Sequence, residues 1–174
     1  ELDRDPPAPL DVELVLALPR PPMLRRVLQA VTTLGVKRIE LLHTARVEKS
    51  YWQSSALEPA AIRRQLLLGL EQARDSVLPG VELRRRFRPF VEDELAPRLE
   101  KRCGLLAEAS FEELCPMGID GPTTLLVGPE GGFVEFELEL LQRAGAVGIS
   151  LGSRALRVET AVVALLSRLA APAA

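Results

Sequence analysis

The apolar positions change rhythm repeatedly along the chain. Val12–Leu18 is a short apolar run of strand length, after which Met23, Val27, Leu28, Val31 and Leu34 recur at helical spacing up to Gly35. A glycine just beyond a periodic stretch reads as a helix stop. Arg38–His43 is strand-like again, and Pro59–Ser76 carries Ile62, Leu66, Leu67, Leu70 and Ala73 on one helical face, with Pro79 and Gly80 behind it. The same reading predicts strands over Val81–Phe87, Gly104–Ala107, Thr123–Val127 and Val147–Leu151, and helices over Val91–Arg102, Val134–Ala144 and Arg157–Ala171. Strands alternating with helices predict an α/β fold, a mainly parallel sheet with helices on both faces. The last helix is apolar nearly all round (Val158, Val162, Val163, Leu165, Leu166, Leu169). Such a helix is buried through the domain or against a second subunit.

Length and composition narrow the classes. The 174 residues make one domain, 47% apolar and 26% charged, which excludes a disordered chain. No apolar run reaches the ~20 residues of a membrane helix, and no basic start precedes an apolar core, so neither a membrane nor a secretory signal is expected. The chain opens on Glu1 and a Pro-rich stretch, so residues 1–10 read as a linker from a missing front domain and 11–174 as the folded unit. Cys103 and Cys115 match neither a disulfide framework nor a zinc site, and the lone His43 gives little to a metal centre or a Ser-His triad. The expectation is no metal and a cytosolic protein. Net charge is only −2, yet 19 of the 22 cations are Arg, which suits phosphate contacts better than Lys.

Chemistry in an open α/β sheet gathers beyond the carboxyl ends of the strands. Two turns there stand out. Gly128-Pro129-Glu130-Gly131-Gly132 follows a strand, and its glycines let backbone approach a ligand closely. It is neither a P-loop nor a dinucleotide fingerprint, and it comes too late in the chain for the latter. Leu151-Gly152-Ser153-Arg154-Ala155-Leu156-Arg157-Val158-Glu159-Thr160 follows another strand and enters a helix. Two Arg near a helix N-terminus oppose the dipole, which calls for an anionic partner or an acidic neighbour such as Glu130.

Leu126–Phe133, followed after a short interval by Ser150–Ala161, closely resembles the paired C-terminal signature of the RsmE family, ribosomal RNA methyltransferases of the SPOUT superfamily. Weaker resemblance runs upstream through Leu34-Gly35-Val36, Arg46, Glu71-Gln72, Arg74 and Pro79. The resemblance implies a C-terminal trefoil knot of SPOUT type, S-adenosyl-L-methionine as cofactor, and a homodimer joined through the knot region and last helix. It implies methylation at N3 of a uridine in 16S RNA, with ribosomal RNA or the small subunit as partner. The family's N-terminal PUA-like domain has no counterpart here. Ala30 and Thr33 stand where relatives carry Lys and an acidic residue, and Val47–Ser54 is unusually aromatic.

On that reading, the cofactor is held by Leu106 and Ala107, by Val127, Gly128, Pro129, Glu130, Gly131 and Gly132, and by Ser150, Leu151, Gly152 and Leu156. Arg157, then Arg154, would stabilise the charge developing on the base, with Glu130 orienting Arg157 or taking the proton. Tyr51, Trp52 or Phe133 would stack on the splayed base. Arg46, Arg74, Arg84 and Arg86 would contact phosphates. The competing readings are a non-catalytic RNA-binding homologue and, lower, a nucleotide-dependent oxidoreductase.

Overall fold

The computed structural model describes residues 5–170. Residues 5–9 are exposed and irregular, whereas Leu10 already belongs to the first strand; the start of the expected linker, residues 1–4, lies outside the described residues. Elements follow in the order β1 (Leu10–Ala17), α1 (Pro21–Thr33), β2 (Val36–Leu42), α2 (Pro59–Ala73) and β3 (Gly80–Arg84). A helical stretch comes next: α3 (Phe87–Pro89), a π-helical turn over Phe90–Leu95, and α4 (Ala96–Leu99). The chain ends through β4 (Cys103–Ala107), β5 (Thr123–Val127), α5 (Glu135–Arg143), β6 (Ala146–Ile149) and α6 (Val158–Leu169). The strands form one parallel sheet in the order β3-β2-β1-β5-β4-β6.

Strand alternation sorts the core into two layers. Leu14, Leu16, Leu125 and Val127 face α1, α2 and α6, which bring Leu28, Leu66, Val162 and Leu166. Val15, Leu106 and Leu126 face Phe90, Val91 and Leu95 of the π-helical turn and Leu140 and Leu141 of α5. Burial on both faces explains the short apolar runs. Pro21 and Pro59 open α1 and α2 at positions where no intrahelical N–H is needed. α1 and α2 pack closely because residue 69 is glycine; a Cβ there would lie 2.6 Å from that of Thr32.

Two expectations shift. The helix predicted from Val91 begins at Phe87 and ends at Leu99, and the strand predicted to Phe87 stops at Arg84. Both follow from a charged layer under that helical stretch. Glu40, 1% exposed, receives Arg98 Nη1 at 2.7 Å and Arg84 Nη2 at 2.9 Å, with Glu13, Arg38 and Arg102 around them. Arg84 and Arg98 also lie over the Phe90 ring. Burial alone would raise the Glu40 pKa, but hydrogen bonds and charge from Arg98 and Arg84 outweigh it and hold the carboxyl below the usual carboxylate range.

The loop between β4 and β5 reaches away from its strands. Cys115 N donates to Ser150 O (2.8 Å), Ser150 N to Glu113 O (2.7 Å), and Gly118 N to Arg168 O near the end of α6 (2.9 Å). Arg168 returns a bond from Nε to Cys115 O (2.9 Å). This loop therefore clasps both the exit of β6 and the last helix.

Candidate active site

The carboxyl ends of β4, β5 and β6 converge on a cleft of about 200 Å³. The end of β4 and the residues after it supply Ala107, Glu108 and Ala109; the end of β5 and the turn after it supply Val127–Glu130 and Gly132; the turn after β6 supplies Ser150–Gly152 and Arg154–Leu156. Val158, Ala161 and Leu165 of α6 form an apolar floor. All the expected cofactor contacts line this cleft except Leu106 and Gly131. Leu106 points into the opposite core layer, as the neighbour of Ala107 must in a strand. Gly131 turns outward against Arg46, where a Cβ would lie 3.1 Å from Arg46 Cδ.

Short and long ties fix the glycine turn. Gly132 N donates to Pro129 O at 2.8 Å with Gly132 at φ +73°, a left-handed conformation that favours glycine. Phe133 tucks under Gly128. Arg46 Nη1 donates to Gly131 O and Phe133 O. The buried Glu137 carboxylate completes the brace: Ala45 N donates to Oε1 at 2.7 Å and Val134 N to Oε2 at 3.0 Å. Glu137 thus joins the loop after β2 to the start of α5. The sequence reading passed over it because a Glu three residues past a helix start also serves as an ordinary cap.

The other expected residues separate. Arg154 lines the cleft, whereas Arg157 caps α6 on the exposed side and does not. Glu130 pairs with neither; its partner is Arg20, Nε to Oε1 at 3.5 Å, from the residue before α1. Phe133 is buried, and so is Trp52, whose Nε1 donates to His43 Nδ1 at 2.8 Å with Arg85 4.7 Å above its ring. Neither face is open for a base. Tyr51 is the half-exposed aromatic, and burial together with the Glu48 carboxylate pushes its phenol above its ordinary pKa.

Among the expected phosphate ligands, Arg46 and Arg86 are exposed near the cleft end of the sheet. Arg84 is bound by Glu40, Glu82 and Glu94. Arg74 is the left-handed C-cap of α2 (φ 54°), at the opposite end of the sheet. Glu108 was missed; nothing in its local sequence marks it, since its place depends on the glycine turn folding against it.

A family model described as RNA methyltransferase domain matches residues 6–170. The ribosomal RNA small subunit methyltransferase E of Treponema pallidum is 31% identical over 157 residues, 88% of this chain and 59% of that protein. The chain thus spans about three-fifths of that relative's length. Among solved structures, a putative methyltransferase of Legionella pneumophila with S-adenosylmethionine bound superposes with a TM-score of 0.77 at 26% identity, covering 96% of this chain and 67% of that one. The SpoU methyltransferase AviRb of Streptomyces viridochromogenes, in complex with the same cofactor, shares the fold at a TM-score of 0.59 and 17% identity, over 97% of this chain and 62% of its own. A match that runs through both turns and almost every described element makes this chain a member of the RNA methyltransferase domain family.

Proposed function

We propose that this chain is the catalytic domain of a cytosolic S-adenosylmethionine-dependent methyltransferase acting on N3 of a uridine in small-subunit ribosomal RNA. The observation that carries it is the convergence of the three strand-end turns on one cleft. The residues there suit the cofactor. Gly132 leaves room that a side chain would fill, Ala161 and Leu165 give an apolar floor for a planar ring, and exposed backbone in the 128–132 and 150–156 turns can read the edge of an adenine.

The bound cofactor supplies an activated methyl group on a sulfonium, so the protein contributes orientation and electrostatics. Uridine N3 must lose its proton as it accepts the methyl group. Arg154, at the cleft, offsets the negative charge that develops on the base; Arg157, further out, serves the RNA side. Glu130 receives the N3 proton on this reading, with Arg20 Nε 3.5 Å from its Oε1. Tyr51 provides the open stacking face, and Arg46 and Arg86 the phosphate contacts.

The clasp of the 108–122 loop on Ser150 and α6 supports a tail threaded through that loop, the trefoil knot of these proteins. The exposed side of α6, with Thr160, Val163 and Ser167, supports pairing with a second copy. The test is transfer of labelled methyl to 16S RNA or small subunits lacking the modification, with nuclease digestion and mass spectrometry. A single 3-methyluridine is expected, and Arg154→Ala should lower kcat about a hundredfold with little change in the KM for the donor. Methylation at another atom, or none, contradicts the reading.

A further inference from the structure

Glu108 lines the cleft and, unlike Glu130, has no ion-pair partner among the described residues. Its backbone is held at both ends: Glu108 N donates to Ile149 O at 2.9 Å, and Phe111 N donates to Glu108 O at 3.3 Å. Oε1 accepts the Ala109 N–H at 3.0 Å. Among the described residues Oε2 has no hydrogen-bond donor; it lies against the backbone of residue 132, where a Cβ would sit 2.9 Å from it. Among the described residues, no Lys, Arg or His nitrogen comes within 4.0 Å of this carboxylate, whereas Glu130 across the turn has Arg20. Gly132 therefore answers two demands at once: a left-handed backbone and space for a carboxylate oxygen facing the cleft.

We propose that Glu108 is the residue by which this cleft distinguishes the methyl donor from its demethylated product, through charge. The inference rests on the cofactor reading above. The donor carries a sulfonium, and loss of its methyl group leaves a neutral thioether, so the product has one positive charge fewer. A carboxylate oriented by the Ala109 N–H and without an ion-pair partner attracts the cationic ligand and is indifferent to the neutral one. Glu108 thereby favours entry of fresh donor and release of spent product without touching the RNA.

Isothermal titration of the full chain with S-adenosylmethionine and with S-adenosylhomocysteine tests this. Glu108→Gln keeps the shape and the acceptor for Ala109 N–H and removes only the charge. It should weaken donor binding roughly tenfold and product binding by less than about twofold. Equal weakening of both ligands would assign Glu108 to a group they share, such as the ribose hydroxyls, and would overturn the proposal, as would no change in either. A second measurement needs no variant. The analogue carrying an aminomethylene group in place of the methylsulfonium should bind the unaltered protein about tenfold more tightly than the neutral product, and this advantage should shrink as salt rises. An analogue no tighter than the product would overturn the proposal. If the unaltered protein binds none of the three, the cofactor reading itself has failed, and this inference with it.

Discussion

Gly132→Val should raise the Kd for S-adenosylmethionine by about three orders of magnitude, a loss of about 4 kcal/mol. Two separate costs contribute. A β-branched residue at φ +73° carries strain of about 1–3 kcal/mol, and overpacking against a fixed neighbour adds a similar amount. The neighbour here is the Glu108 carboxylate, 2.9 Å from the new Cβ, so the substitution both distorts the turn and displaces an acid that lines the cleft. Any part of that strain the unliganded turn does not relieve weakens the fold as well, so the thermal midpoint should fall by about 2–4 °C per kcal/mol retained. Titration calorimetry beside a thermal melt checks both halves. Normal donor affinity in this variant would mean that the glycine turn does not form the binding surface.

The second large effect concerns stability. Glu40→Gln should destabilise the fold by about 3 kcal/mol at neutral pH, because it leaves Arg84 and Arg98 largely buried beside a neutral amide. The same carboxyl gives the wild-type protein an acid limb. Its pKa is lower folded than unfolded, so it binds its proton less readily in the native state. Its stabilisation is complete above the ordinary carboxylate range and is lost as pH falls through the lowered, folded value. Urea unfolding at pH 7 and at successively lower pH should show the gap between wild type and Glu40→Gln closing in acid. A gap that stayed constant would place the stabilisation elsewhere than in the Glu40 charge. Lys37 and Asp75, 2.5 Å apart at the other end of the sheet, add a smaller contribution of the same sign, since Asp75 is also held below its ordinary value by Lys37 despite its burial.

The sheet was legible because parallel strands buried on both faces leave short apolar runs, as Leu14–Leu18 and Leu125–Val127 do. The cleft was legible because its walls are turns, and turns declare themselves through glycine: Gly128, Gly132 and Gly152 stand where close approach or a positive φ requires them. What stayed hidden depends on contacts distant in sequence. The run of Arg84, Arg85 and Arg86 looks uniform along the chain, yet Arg84 is held by Glu40, Arg85 stacks on Trp52, and Arg86 is left to solvent. Trp52 looked like a stacking surface until His43 and Arg85 took its edge and face. The start of the helical stretch at Phe87 was obscured by the charged side chains that it packs over the sheet. Glu108 and Glu137 gave no local signal, since each acquires its meaning from a backbone segment tens of residues away.

The most direct measurement is a crystal structure of this chain grown with S-adenosylmethionine. The account predicts donor density between the 128–132 and 150–156 turns, its ring over Ala161 and Leu165 and its sulfonium on the side of Glu108. Donor bound elsewhere, or that cleft left empty at saturating donor, would contradict it.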